Sequence, residues 1–204
     1  MTLWALVPIK ARALCKSRLA EKLSDAQRRF VVRRLLTHVV DALQQSSAID
    51  HIAVVSAERD CLPSSIEVLP DRGGGLNSAL TEAVAIARLR GATEVIIVLP
   101  DTALLTPADL HAMIGGMRND GLALAPDRHG SGTNALAQYI AIPLQYRFGR
   151  ESFKHHLAEA CRQGLHPTII RRRGLAFDLD TASDFEHLLL SAPPDGAHIL
   201  GTLP

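Results

Sequence analysis

At 204 residues, the chain suits one domain with a substantial buried core, and its net charge of +1 excludes the strong field of most duplex-binding proteins. Its three cysteines are scattered without paired spacing, which argues against both a disulfide framework and a zinc site. No apolar run reaches the roughly 18 residues that span a bilayer, and no signal-peptide pattern opens the chain, so we expect a soluble cytoplasmic protein.

Strand-like and helix-like segments alternate along the first half of the chain. Short apolar runs predict four strands, a buried one at 3–9 and others at 51–56, 66–70 and 94–100. Ser24 and Gln27 form a capping-box pattern, which predicts that a helix begins there. The Ala-rich stretch 76–90 predicts a second helix that ends at Gly91. Thr106 and Pro107 then predict the start of a third helix.

The same alternation continues less regularly in the second half. Extended segments are predicted at 122–126, 135–142, 168–170 and 175–179. Helices are predicted over 151–163 and from Thr181, which pairs with Asp184 in a capping pattern. The tail at 192–204 is rich in Pro and Gly and predicts irregular structure. Together these elements predict one α/β domain over 1–204, with a mostly parallel sheet covered by helices on both faces.

A cluster of basic residues follows the first predicted strand. Within thirteen positions, with Glu21 as the only acid among them, come Lys10, Arg12, Lys16, Arg18 and Lys22. Because the chain as a whole is nearly neutral, this local cluster indicates a small anion rather than a long polyanion. A solvated helix face is the alternative interpretation, although basic residues near a helix N-terminus oppose its dipole.

Other polar residues follow the predicted strands at their carboxyl ends, where open α/β sheets bind ligands. They are Asp101 after Pro100, the loop 127–134, and Asp178 with Asp180. Cations and carboxylates at one edge suit a polyphosphate with a bridging divalent metal. Turn carboxylates, helix capping and a plain hairpin loop remain alternatives. We interpret His155 and His156 as helix surface, because adjacent helical residues point about 100° apart.

No glycine-rich phosphate loop is present, so cationic side chains would hold a nucleotide. Six short motifs are spread over nearly the whole chain: "VPIKARALCKSRL" (7–19), "GGGLNSAL" (73–80), "VIIVLPD" (95–101), "APDRHGSGTNAL" (125–136), "FGRESFKHH" (148–156) and "LAFDLDTASD" (175–184). Together these motifs resemble the guanylyltransferases that act on small phosphorylated carboxylic acids in the synthesis of the deazaflavin coenzyme F-420.

The resemblance implies a single-domain Rossmann-like nucleotidyltransferase fold, with GTP as donor, Mg²⁺ as metal and 2-phospho-L-lactate, phosphoenolpyruvate or 3-phosphoglycerate as acceptor. It implies that the nucleotide is bound by Pro8, Lys10, Lys16, Arg18, Gly75, Asn77 and Pro100. It implies that the acceptor is bound by Thr133, Gly149 and Ser152. It implies that the metal is bound by Asp101, Asp180 and, less centrally, Asp178. Lys10, Lys16, Arg18 and Asp101 would carry the catalysis.

One stretch departs from this family's usual pattern. The family reads "LPxDLPLLTP" where this chain reads "LPDTALLTP", which is one residue shorter and lacks the proline after the aspartate. We therefore expect a different wall beside Asp101, and a more polar acid such as 3-phosphoglycerate is one acceptor this would suit. Other interpretations are a phosphonate cytidylyltransferase, a sugar-phosphate nucleotidyltransferase, a glycosyltransferase using Asp178 and Asp180, and a non-catalytic nucleotide-binding regulator.

Overall fold

The computed structural model describes residues 1–9, 17–59, 62 and 65–191. Within these residues, one sheet contains seven strands: β1 (Leu3–Pro8), β2 (His51–Ser56), β3 (Glu67–Pro70), β4 (Glu94–Val98), β5 (Leu122–Pro126), β6 (Thr133–Tyr139) and β7 (Thr168–Ile169). The helices are α1 (Asp25–Gln44), α2 (Leu76–Leu89), α3 (Pro107–Asp120), α4 (Ser152–Arg162), α5 (Arg173–Ala176) and α6 (Ala182–Ser191).

The sheet is mostly parallel, as the alternation of elements predicted. Its strand order is β3-β2-β1-β4-β6-β5-β7, and β6 alone among them runs antiparallel to its neighbours. The amino end of β6 consequently lies at the same edge as the carboxyl ends of β4 and β5. This reversal brings Thr133, the first residue of β6, to the edge where ligands bind in sheets of this type.

Successive residues of each strand point to opposite sides of the sheet. Because the side chains on both sides are apolar, helices cover both faces. On one face, Leu3, Ala5 and Val7 of β1 belong to a buried cluster that includes apolar side chains of α1 and α3. On the other face, Trp4 and Leu6 belong to a cluster that includes residues of α2 and α4. The fold class predicted from the sequence is therefore confirmed.

Two helices begin where the sequence predicted them, at Ser24 from its capping-box pattern and at Thr106 from the proline that follows it, and both have a capping box. The Ser24 hydroxyl accepts from Gln27 N at 3.3 Å, and Gln27 Oε1 accepts from Ser24 N at 3.1 Å. At α3, Thr106 and Asp109 make the same reciprocal pair around Pro107. Each box satisfies backbone N–H groups that have no partner within the helix.

The prediction of an extended segment at 175–179 is wrong in its first half. Leu175 and Ala176 belong to α5, and only Asp178 pairs, in an isolated antiparallel bridge with Thr102. The apolar residues of this stretch are buried against helices and the sheet without joining the strand ladder, so their alternation indicated burial rather than strand pairing. The strand predicted at 135–142 begins two residues earlier and ends at Tyr139.

The predicted irregular tail at 192–204 lies outside the described residues. Across the part of the chain that is described, none of the helices combines the length and apolar character needed to cross a membrane.

Candidate active site

A cleft of about 840 Å³ opens at the carboxyl edge of the sheet. Its walls include the end of β1, the segment at Arg18, the start of α2, the turn after β4, the loop before β6, the turn before α4, and the segment between α5 and α6. Its lining includes most of the site residues predicted from the sequence, namely Pro8, Arg18, Pro100, Asp101, Thr133, Gly149, Ser152, Asp178 and Asp180.

The turn after β4 is attached to the segment before α6 by backbone pairing. Leu179 N donates to Asp101 O at 3.1 Å, and Thr102 pairs with Asp178 in the antiparallel bridge. The Thr102 hydroxyl also donates to Leu99 O at 3.0 Å, which closes the turn. This turn is one residue shorter than the "LPxDLPLLTP" pattern with which the sequence was compared. It nevertheless directs Asp101 into the cleft beside Asp178.

The two carboxylates influence each other electrostatically. Burial, followed by the negative charges of Asp101 and Asp180, raises the pKa of Asp178 to about 6, while Arg128 acts in the opposite direction. Within the described residues, Asp178 Oδ1 is buried and accepts no hydrogen bond. A buried carboxylate oxygen without a donor, next to a second carboxylate, is stabilised by a cation.

These carboxylates suit Mg²⁺, which keeps water and substrate ligands, better than a metal ion whose ligands would all come from the protein. No group of three or more His, Cys, Asp or Glu side chains in the described parts of the chain is arranged to hold a metal ion. Mg²⁺ in nucleotide-dependent enzymes commonly takes one or two carboxylates, completing its shell with water and substrate phosphates. Two of the three carboxylates of Asp101, Asp178 and Asp180 would offer that partial set.

The loop before β6 is organised by one carboxylate. Asp127 accepts from the N–H groups of His129, Ser131 and Gly132 at 3.1, 2.9 and 2.8 Å, and from the Ser131 hydroxyl at 3.0 Å. Burial alone raises the pKa of Asp127, but these hydrogen bonds outweigh it and lower the pKa overall. A Cβ at Gly132 would lie 2.8 Å from Asp127 Oδ2, so a side chain there would displace the carboxylate that organises the loop.

Three residues predicted to bind the acceptor lie together on one wall of the cleft. Ser152 Oγ accepts from Thr133 N at 2.8 Å, which joins β6 to the start of α4. The Thr133 hydroxyl lies 3.0 Å from His156 Nδ1. Gly149 has φ 126°, a backbone conformation that residues with a side chain rarely adopt. Glu151, at φ 55°, is the only described non-glycine residue with positive φ. Backbone strain of this type concentrates at functional sites.

The residues predicted to bind the nucleotide do not all lie on one wall, unlike those predicted to bind the acceptor. Gly75, at φ 87°, precedes the first turn of α2. The Asn77 carboxamide is held by the backbone of Phe148, donating to its carbonyl at 3.1 Å and accepting from its N–H at 2.8 Å. Asn77 therefore connects α2 to the acceptor wall. Lys10 and Lys16 lie outside the described residues.

The family described as "Guanylyl transferase CofC like" matches residues 3–197 of this chain. The chain belongs to this family of CofC-like guanylyl transferases. It is accordingly an enzyme of the nucleotidyltransferase class.

Relatives of this CofC-like protein carry names for different acceptors. The chain is 38% identical over 197 residues to the phosphoenolpyruvate guanylyltransferase of Sphaerobacter thermophilus, covering 95% of each chain. It is 28% identical to the 2-phospho-L-lactate guanylyltransferase of Methanobrevibacter smithii, covering 92% of this chain and 84% of that one. It is 30% identical to the 3-phospho-D-glycerate guanylyltransferase of Phenylobacterium zucineum, covering 88% and 86%.

The fold of the CofC-like protein is shared with more distant nucleotidyltransferases. A 4-diphosphocytidyl-2C-methyl-D-erythritol synthase superposes with a TM-score of 0.65 at 15% identity, covering 93% of this chain and 97% of that chain. At this identity the likeness shows the fold alone.

Sequence reasoning missed several residues at the site. Arg150 and Glu151 line the cleft, although neither was among the predicted site residues. Asp127 lies in the predicted polar loop 127–134, but its role in shaping that loop was not predicted. The interpretation of His156 as helix surface is wrong: the side chain is 0% exposed, whereas its neighbour His155 is exposed. The 100° offset between neighbours was correct, but it placed one histidine outside and one inside. The apolar positions of α4 were the signal that would have separated them.

Proposed function

We propose that this protein transfers GMP from GTP to the phosphate of a small phosphorylated carboxylic acid and releases pyrophosphate. Phosphoenolpyruvate, 2-phospho-L-lactate and 3-phosphoglycerate are the candidate acids, and the step belongs to coenzyme F-420 biosynthesis. The observation that carries the proposal is a cleft lined both by adjacent carboxylates and by the Thr133–Ser152 wall, in a member of this family.

The acceptor phosphate is already an anion at neutral pH, so an oxygen of it attacks the α-phosphorus of GTP without a general base. Catalysis then depends on in-line positioning and on neutralising the charge of two anions. Arg18, which borders the cleft, is assigned to the nucleotide phosphates together with Lys10 and Lys16. Pro8, Gly75 and Pro100 are assigned to the rest of the nucleotide.

Mg²⁺ is the metal we assign to Asp101, Asp178 and Asp180. When bound, it would supply positive charge that neutralises the nucleotide phosphates. The carboxylates support this assignment, because Asp178 Oδ1 is buried beside Asp101 without a hydrogen-bond donor among the described residues.

The acceptor is assigned to the wall formed by Thr133, Gly149 and Ser152. The hydroxyls of Thr133 and Ser152 at this wall suit the oxygens of a phosphate and a carboxylate, which only accept hydrogen bonds. A sugar phosphate presents many hydroxyl groups that donate hydrogen bonds, and this wall offers fewer acceptors for them. We therefore expect small phosphorylated acids to be used in preference to sugar phosphates.

The decisive experiment measures pyrophosphate release from GTP and Mg²⁺ with each of the three acids, and with sugar phosphates and CTP as comparison substrates. Asp101→Asn should abolish turnover while the protein remains folded. Asp41→Asn, an exposed aspartate on α1, provides the matched control and should keep wild-type rates. Preference for CTP or a sugar phosphate, or full activity in Asp101→Asn, would contradict the proposal.

A further inference from the structure

His156 is the buried titratable residue closest to the acceptor wall. It lies on the inner face of α4 and is 0% exposed. Its ring packs edge-on against Phe148, with the centroids 4.8 Å apart and the planes at 70°. Both ring nitrogens have polar neighbours at 3.0 Å, Nδ1 at the Thr133 hydroxyl and Nε2 at Arg147 N.

The two neighbours determine which nitrogen carries the ring proton. The N–H of Arg147 can only donate, so Nε2 of His156 must accept. The proton of the neutral ring is therefore on Nδ1, from which it is donated to the hydroxyl oxygen of Thr133. Burial, and next the charge of His155, lower the pKa of His156 to about 4 despite the opposing effect of Glu159, so the ring is neutral at pH 7.

This arrangement sets the direction of the Thr133 hydroxyl. A hydroxyl has one proton to donate and two lone pairs that accept. When its oxygen accepts from His156, its own proton points away from the ring and remains available to the cleft that Thr133 lines. The Ser152 hydroxyl is arranged similarly, because its oxygen accepts from Thr133 N and its proton also remains.

We propose that His156 is a positioning residue for the acceptor: it donates to the Thr133 hydroxyl oxygen and so orients that hydroxyl as a donor toward the cleft. This inference rests on the proposed function, and it adds the reason why the wall selects anions. A wall of oriented donors favours phosphate and carboxylate oxygens over ligand hydroxyls, which would have to act as acceptors themselves.

Two substitutions separate the two hydrogen bonds of His156. In His156→Asn the side-chain amide lies near the position of Nδ1 and can still donate to Thr133, whereas the bond to Arg147 is lost. In His156→Gln the longer side chain brings an amide oxygen near the position of Nε2, so it can still accept from Arg147, whereas the donor to Thr133 is lost. Each variant thus loses one hydrogen bond and keeps the other.

Pyrophosphate release by the full-length protein gives the KM of each substrate in these variants. We expect His156→Gln to raise the KM of the acid about tenfold, which corresponds to the lower end of the range for a hydrogen bond to a charged group. The KM of GTP should rise less than about twofold. His156→Asn should keep the acid KM within about twofold of wild type. In a Thr133→Val background, His156→Gln should have no additional effect on the acid KM.

Equal increases of the acid KM in His156→Asn and His156→Gln would overturn the inference and leave His156 a structural residue, while the proposed function stands. Absence of pyrophosphate release from the wild type with every acid would overturn both. The ¹⁵N spectrum of the wild-type histidines provides a test that needs no variant. It should show His156 as the neutral Nδ1–H tautomer at pH 7, and the opposite tautomer would also overturn the inference.

Discussion

Acidification should destabilise this protein through His156. Protonation places a second proton on Nε2, opposite the Arg147 N–H that Nε2 now accepts. The folded-state pKa of about 4 lies below the usual 6.5, so the unfolded chain binds more protons between these values. The stability contributed by the neutral ring is therefore complete above pH 6.5 and is lost as pH falls toward 4. From pH 7.5 to 5.0 the loss amounts to about 2 kcal/mol at 1.36 kcal/mol per pKa unit.

Urea unfolding at pH 7.5 and 5.0 measures this loss, with His156→Asn as the matched protein that cannot titrate there. Asp178 acts in the opposite direction, because its pKa is raised to about 6 and its contribution is lost as pH rises. Since Asp178 is present in both proteins, the difference between them isolates His156. The wild type should lose about 2 kcal/mol more than the variant. An equal loss in both would refute the assignment of a buried neutral imidazole.

Three further substitutions test other parts of the site. Asp178→Asn removes repulsion with Asp101, so the midpoint temperature of thermal unfolding in EDTA should rise by about 2–4 °C. The stabilisation that Mg²⁺ gives and the turnover rate should both fall. Arg18→Ala should lower kcat/KM for GTP about 10- to 100-fold in the pyrophosphate assay, and unchanged kinetics would make Arg18 a solvated side chain. Asn77→Ala should lower the unfolding free energy in urea by about 1–3 kcal/mol and raise both KM values, because Phe148 loses two hydrogen bonds.

Local patterns in the sequence were sufficient to predict most of the elements. The capping boxes at Ser24 and Thr106 act over three residues, so the signal and the structure lie in the same short stretch. The β-branched run at 94–98 similarly predicts a strand that is buried on both faces. The same local motifs indicated the family, which the comparison over residues 3–197 confirms.

The error at 175–179 shows where local patterns stop being informative. An alternation of apolar residues indicates which side chains are buried, but burial against helices and burial in a sheet produce the same pattern. Here Asn134 donates its side-chain amide to Leu175 O at 2.9 Å, across 41 residues. The backbone of this segment thus receives a partner that no neighbouring residue reveals.

The arrangement of the site was decided by tertiary structure. The reversal of β6 brings Thr133 to the edge that carries Asp101, and the pairing of Thr102 with Asp178 places two carboxylates side by side. The roles of Asn77 and His156 depend on contacts across 71 and 23 residues. Such contacts form only when burial brings distant segments together, because the free energy of a buried hydrogen bond depends on the partner that the fold supplies.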